Sequence, residues 1–398
     1  VTVDVGFEPQ WLMIKRSSGN DTGNSQANSW MIFDNMRGYT ATGENQATLF
    51  WNSSEDEDLN SYRGKLTSTG FIVNDSNVSN SGSTYVYMAI RRGPMKEPSA
   101  GTDVYTPVRP SSSGTFTAVS GFPTDLTINK GPSNGDTTYL GNRLTGVNSV
   151  APTSTAAQFS VNFAFDFMNQ ITIGGTGDYS SWISWNFRRY PKVFDTVVYE
   201  GNGNNSPFRQ ITHNLGVAPE LVIIKNVDQA LHWGVNQNTG DSDVDADVVY
   251  LNLDGAYSGG SGLTASATTV TLNGSWGGTA QTNGSGDTHL MLMFASLSGI
   301  SKVGAYVGTG NDLNVTDLGA AARFVLIKRT DATGDWYVFD TVTGIVSGNE
   351  AYNFLNSDTG VQTAADYIDP HSSGFTITSS APDALNASGG KYLYLAFA

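Results

Sequence analysis

Apolar residues fall in short bursts along this chain. Residues 84–90 and 392–397, for example, are six or seven β-branched and aromatic positions bounded by Gly, Ser and Asn clusters, the pattern of a strand. Windows with helical spacing are nearly absent, so the pattern predicts an all-β protein. Asn-Gly and Gly-Asn steps at Asn202, Asn273, Asn283 and Gly310 supply residues able to take positive φ in tight turns.

The bursts repeat. GFEPQWLMIK begins at Gly6, GFPTDLTINK at Gly121, GVAPELVIIK at Gly216 and GAAARFVLIK at Gly319, each ending on a lysine: Lys15, Lys130, Lys225 and Lys328. A second pattern follows as STYVYMAIRR, SWISWNFRRY, THLMLMFASL and KYLYLAFA, with Tyr85, Trp182, His289 and Tyr392 spaced by 97, 107 and 103 residues. Between these anchors lie a central strand, WMIFDNMRG in the first unit and WYVFDTVTG in the last, and then ATLFWNSS, DVVYLNLD and AYNFLNSD. Six or seven strands per unit of about a hundred residues suit a two-sheet sandwich better than a propeller blade, which holds about four strands in ~40–45 residues.

The expected architecture is therefore four tandem, jelly-roll-like β-sandwich repeats. Unit one covers residues 1–93, a Pro/Ser linker 94–113, a divergent unit two 114–191, unit three 192–298 and unit four 299–398. Each unit owns an anchor strand and a closing strand, so each is expected to bury its own core. Units three and four also carry a leading strand, in DTVVYEGNGN and KVGAYVGTGN, which unit one lacks. With Val1 in first place, the expectation is a sequence that begins inside its first repeat, belongs to a longer polypeptide and completes unit one with a borrowed strand.

Charge narrows the function. Among 398 residues, 36 Asp plus Glu stand against 21 Lys plus Arg, a formal charge of -15. A surface of that sign repels phosphate backbones and anionic lipids, and no basic run reverses it, so nucleic-acid binding is disfavoured. No apolar run approaches the ~18 residues of a membrane span, so membrane insertion is not expected. The absence of cysteine excludes disulfides, thiolate metal sites and cysteine nucleophiles.

Candidate chemistry is sparse. The histidines are His213, His232, His289 and His371, and none has triad partners or metalloprotease spacing. Asp241, Asp243, Asp245 and Asp247 alternate, which in a strand would put four carboxylates on one face as a calcium set. Ala246 and Asn252 stand where an EF-hand loop needs Gly and Glu, so the expectation is no metal site and no cofactor. The run Glu55, Asp56, Glu57 and Asp58 reads as a solvated loop. Each repeated lysine ends an apolar run, so its stem is expected to cover a sheet edge while the ammonium reaches solvent or a carboxylate. Trp51, Tyr62, Tyr257 and Trp276 lie among Asn, Ser, Gly and Asp, the setting in which rings grip carbohydrate faces.

The motifs GFEPQWLMIKR and WMIFDNMRG of unit one, VVYEGNG and HNLGVAPELVIIKN of unit three, and FVLIKRT, DWYVFD and NASGGKYLYLAFA of unit four resemble a repeat of unknown function. That repeat occurs in tandem in virion proteins, tail and fibre-like, of tailed bacteriophages, especially marine phages. The resemblance implies a non-enzymatic structural or adhesive role in the virion, serving tail or fibre assembly and host-surface attachment. Its implied partners are other virion proteins and a host cell-surface glycan or protein. A homo-oligomer is expected, with a trimer favoured. A secreted array of carbohydrate-binding modules, a capsid-decorating head fibre and a polysaccharide depolymerase are the alternatives.

Overall fold

A computed structural model describes all residues except 20–24, 44–45, 205, 207, 239–247, 258–261 and 273–278. Strands take up 43% of the chain and helices 6%, so the all-β expectation holds. No helix among the described residues is long and apolar enough to cross a membrane.

The sheets pair off along the chain, a large one with a three-stranded one. In residues 1–93 the anchor strand Pro9–Ser18 lies between Met31–Asp34 and Thr84–Arg91, and Gln46–Phe50 and Asp58–Ser61 extend the sheet. The small partner sheet holds Thr2–Asp4, Gly70–Val73 and Gly64–Thr67. The same plan centres on Leu126–Lys130, on Leu221–Asn226 and on Phe324–Arg329, with closing strands Ile183–Phe187, Thr288–Phe294 and Lys391–Phe397. Their partner sheets contain Phe116–Val119, Arg209–Thr212 and Leu313–Val315.

The leading strands differ from one sheet to the next. Tyr105–Val108 pairs outside Ile183–Phe187, Phe194–Glu200 outside Thr288–Phe294 and Ser301–Val307 outside Lys391–Phe397. In the first sheet, among the described residues, Thr84–Arg91 is itself the edge. Tyr105–Val108 lies inside the stretch 94–113 expected to be a linker, and Val104 and Tyr105 are fully buried, so only part of that stretch connects. The prolines misled because Pro107 sits on an edge strand, where a missing N–H need cost no ladder bond.

Register is shared across the four large sheets. Met88, Met13, Ile32 and Leu49 form a cross-strand row in the first. Trp185, Ile128, Leu140 and Val150 form it in the second, and Leu292, Ile223, Val235 and Val249 in the third. Leu395, Leu326, Val338 and Asn353 form it in the fourth. Because strand side chains alternate, each row marks the face turned away from the small partner sheet.

Those outward faces correct the expectation of self-contained cores. The sandwich interiors of units two, three and four are separate clusters, around Phe116 and Ile171, around Ile211 and Met291, and around Phe339 and Phe375. Their large sheets, however, turn the opposite faces toward one another and share one core. At its centre Phe187, Phe294 and Phe397, the last residues of three closing strands, meet pairwise with ring centroids 6.3, 5.4 and 6.2 Å apart. A sheet buried on both faces reads as a continuous apolar run, which is why LVII and FVLI do not alternate.

Candidate functional site

The lysines show how the three sheets are tied. Lys130 Nζ donates to Ser357 O at 2.5 Å, Lys225 Nζ to Thr155 O at 3.0 Å and Lys328 Nζ to Asp254 O at 2.8 Å. Unit two thus reaches unit four, unit four reaches unit three and unit three reaches unit two, a closed ring. All three side chains are buried, against the expectation that their ammonium groups reach solvent. Burial pushes each down to about 8, with Asp358 and Asp136 opposing it at Lys130 and Asp254 and Asp335 at Lys328. Tryptophans follow the same direction: Trp233 Nε1 donates to Ala151 O and Trp336 Nε1 to Tyr250 O, both at 3.1 Å.

Unit one docks on the outside of this ring through apolar contact, its interior around Leu12, Phe33 and Phe71 being continuous with the shared core, and through a buried ionic cluster. Arg189 Nη1 lies 2.9 Å from Glu8 Oε2, Arg189 Nε 3.3 Å from Asp125 Oδ1 and Arg92 Nη2 3.0 Å from Asp195 Oδ1. Burial works against the Arg189 charge, but Glu8, Asp125 and Asp195 outweigh it and hold its pKa above the ordinary value. Burial alone would raise the Asp125 carboxyl, yet Arg189, Arg143 and Arg92 keep it below the usual range. A cleft of about 570 Å³ runs along this seam past Trp11, Arg37, Arg92 and Arg143. Arg37 is paired there with Asp34 and Glu57, and Arg143 with Asp125, so these cations already have carboxylate partners.

Docked in this way, unit one leaves the margins of its outward sheet face uncovered, while Ile32 at its middle is buried. Val86, Met88 and Ile90 are 47%, 46% and 47% exposed, where their register equivalents Leu393, Leu395 and Phe397 are buried. Trp51 is 65% exposed and meets Trp11 edge-on at 6.4 Å. Asn52 Oδ1 accepts from Trp30 N, as Asn252 Oδ1 does from Trp233 N and Asn356 Oδ1 from Trp336 N. Trp51 therefore stands where the buried Leu251 and Leu355 stand. Leu49, Trp51, Val86, Met88 and Ile90 thus present apolar surface to solvent.

The sequence-based candidates do not converge. Trp51 lies on this face. Tyr62 packs its ring against the turn at Gly43, whose φ is +84°. Tyr257 binds elsewhere, its N–H donating to Thr330 O at 2.9 Å and its hydroxyl accepting from Gln237 Nε2. Trp276 lies outside the described residues, as do Asp241, Asp243, Asp245 and Asp247. Among the described residues, no group of three or more histidines and carboxylates is placed to hold a metal ion. Two of the four acidic residues at 55–58 hold arginines, Glu57 with Arg37 and Asp58 with Arg63.

Histidines serve packing. His289 is buried and stacked on Tyr199 at 5.1 Å, and burial lowers its pKa. His213 bonds Ser266 O, His232 bonds Asn252, and His371 Nδ1 accepts from Ser373 N. Sequence reasoning singled out Trp51 but missed Val86, Met88 and Ile90 beside it, and the signal that could have joined them was Trp51 standing where units three and four have Leu251 and Leu355.

The model of one family, described as a domain of unknown function (DUF7483), matches residues 2–94 and 172–398. The part it passes over is the connector and most of the divergent unit two. No curated protein matches the chain.

Proposed function

We propose, for a chain that belongs to the DUF7483 family of domains of unknown function, a non-enzymatic structural role in a tailed-phage virion. It would serve as a tail or fibre component in assembly and in contact with the host surface. The observation that carries this reading is the uncovered apolar face of unit one, mounted on a body that lysine and tryptophan bonds lock into a ring. A rigid body presenting one unpartnered face suits a building block. Histidines committed to packing bonds support a non-enzymatic reading, and the resemblance of the repeat motifs supports the phage setting.

Electron microscopy of purified particles labelled with antibody against this chain tests the reading. Label on the particle supports it, and its position separates a tail fibre from a head fibre. Free protein in the lysate with bare particles overturns it. Exposed Trp51 beside Trp11 favours a second reading, stacking on a sugar face, which a glycan array with Trp51→Ala addresses.

A further inference from the structure

We propose that three copies of this chain associate through the outward sheet faces of their first units, repeating between chains the packing that units two, three and four make within one. The inference starts from a comparison the molecule makes with itself. Four large sheets carry the same cross-strand register. Three of them turn the row face into a common core in which Phe187, Phe294 and Phe397 meet around a pseudo-threefold axis. The fourth presents Ile90 at the same register, opposite Trp11, as Phe187 is opposite Leu126, Phe294 opposite Leu221 and Phe397 opposite Phe324.

The chemistry of that fourth face is the chemistry of the other three. Met13, Ile32, Leu49, Val86, Met88 and Ile90 are all apolar and fill positions that in sister sheets are almost wholly aliphatic or aromatic. Lys15 pairs in register with Val86, as Lys130 does with Ile183, Lys225 with Leu290 and Lys328 with Leu393. Three lysines on one apolar face are tolerated inside the chain because each finds a carbonyl of the next unit, at Thr155, Asp254 or Ser357. Lys15 Nζ already donates to Asn28 O of its own unit, as Lys225 does to Leu231 O and Lys328 to Gly334 O; the carbonyls equivalent to the second set of acceptors lie just after Asn52, so in the trimer Lys15 of one copy donates in addition to the turn at Ser53 and Ser54 of the next.

A second copy is favoured over an unrelated partner because the complement of this face is already specified. It is two more faces of the same register, and the chain shows that such a triple closes. Heterologous contact around a threefold closes into a ring and leaves no open surface to propagate. Burying Leu49, Trp51, Val86, Met88 and Ile90, all exposed in the single chain, supplies the driving force.

The proposal adds a surface to the assembly reading above, and the two fail separately. Labelled particles with a monomeric chain sink this inference alone, whereas a trimer with unlabelled particles sinks the virion reading alone. Sedimentation velocity on the intact chain is the test, with a species of three times the 42.4 kDa chain mass expected. The double variant Met88→Glu with Ile90→Glu should sediment as a monomer. Its thermal unfolding should match that of dissociated wild type, because both side chains are half exposed within one chain. In Ile90→Cys, oxidation should join two of the three chains covalently. A wild-type monomer at every soluble concentration overturns the proposal. So does a dimer, or a trimer indifferent to the double glutamate variant.

Discussion

Trp185 Nε1 donates to Asp340 Oδ2 at 3.0 Å across the boundary between the second and fourth large sheets. Both residues are fully buried. The same carboxylate accepts from Val342 N at 2.8 Å, Thr343 N at 2.9 Å and Thr343 Oγ1 at 2.6 Å. One side chain thus fixes a turn in unit four and a tryptophan in unit two.

Asp340→Ala should therefore be far more costly than an exposed Asp→Ala change. It strands several donors in a dry interior, each worth ~1–3 kcal/mol when left unpaired. Urea titration should show a lower midpoint with an unchanged slope. Asp340→Asn keeps acceptors for some of these donors and should recover part of the loss. Equal stability of wild type and Asp340→Ala would refute the tie.

The three buried lysines make stability depend on pH above neutrality. In the unfolded chain they stay charged up to 10.5, but burial lowers their folded values to about 8. Between these values the unfolded state holds more protons, so stability rises with pH. The gain ends near 10, where unfolded tyrosines ionise while buried ones such as Tyr199, its pKa raised by burial, do not. The urea midpoint should increase from pH 8 to pH 9.5, and less steeply in Lys225→Met, where Lys130 and Lys328 remain. That variant should also be destabilised at pH 7 by about 1–3 kcal/mol, since Thr155, Gln229 and Leu231 lose the donor to their carbonyls. A flat profile for wild type in this window would rule the account out.

At Arg189 three units converge, since Glu8, Asp125 and Asp195 come from different ones. Arg189→Met removes the cation that Glu8, Asp125 and Asp195 share and leaves them only Arg92 and Arg143, so the loss should approach but stay below the ~3–5 kcal/mol of a buried pair broken outright. Calorimetry should resolve an earlier transition as unit one separates from the ring. Adding Glu8→Gln should restore part of the loss, and a double variant no better than the single one would show that charge is not the cause.

The Gly-to-Lys spacing placed Lys15, Lys130, Lys225 and Lys328 on anchor strands because strand register and turn chemistry are local properties. Where each ammonium goes was not legible, because Thr155, Asp254 and Ser357 lie in other units. Tyr105 was hidden by surrounding prolines, although it stacks on Phe397 at 5.6 Å in the shared core. The aromatic candidates do not come together for a related reason: local polarity around Tyr62 and Tyr257 could not reveal that one lies against the turn at Gly43 and the other bonds Thr330 and Gln237. Among the described aromatic candidates only Trp51 has the exposure its context suggested.

Met88 and Leu395 share a register position at opposite burial, 46% against 4% exposed. Leu395 is packed in the core common to three sheets, so Leu395→Ala opens a cavity in a closed interior and should cost about 2–5 kcal/mol. Met88→Ala trims a side chain that solvent already reaches, and in a single chain the effect should stay within ~0.5 kcal/mol. Concentration separates this from simple surface tolerance. If the first units associate, the cost of Met88→Ala grows as protein concentration rises, because truncation then removes contacts between copies. The Leu395→Ala cost beyond wild type stays constant, since its neighbours are all within the chain. Thermal unfolding of both variants across a hundredfold dilution reads the difference directly. A Met88→Ala effect as large as that of Leu395→Ala at the lowest concentration would mean that unit one covers this face by itself.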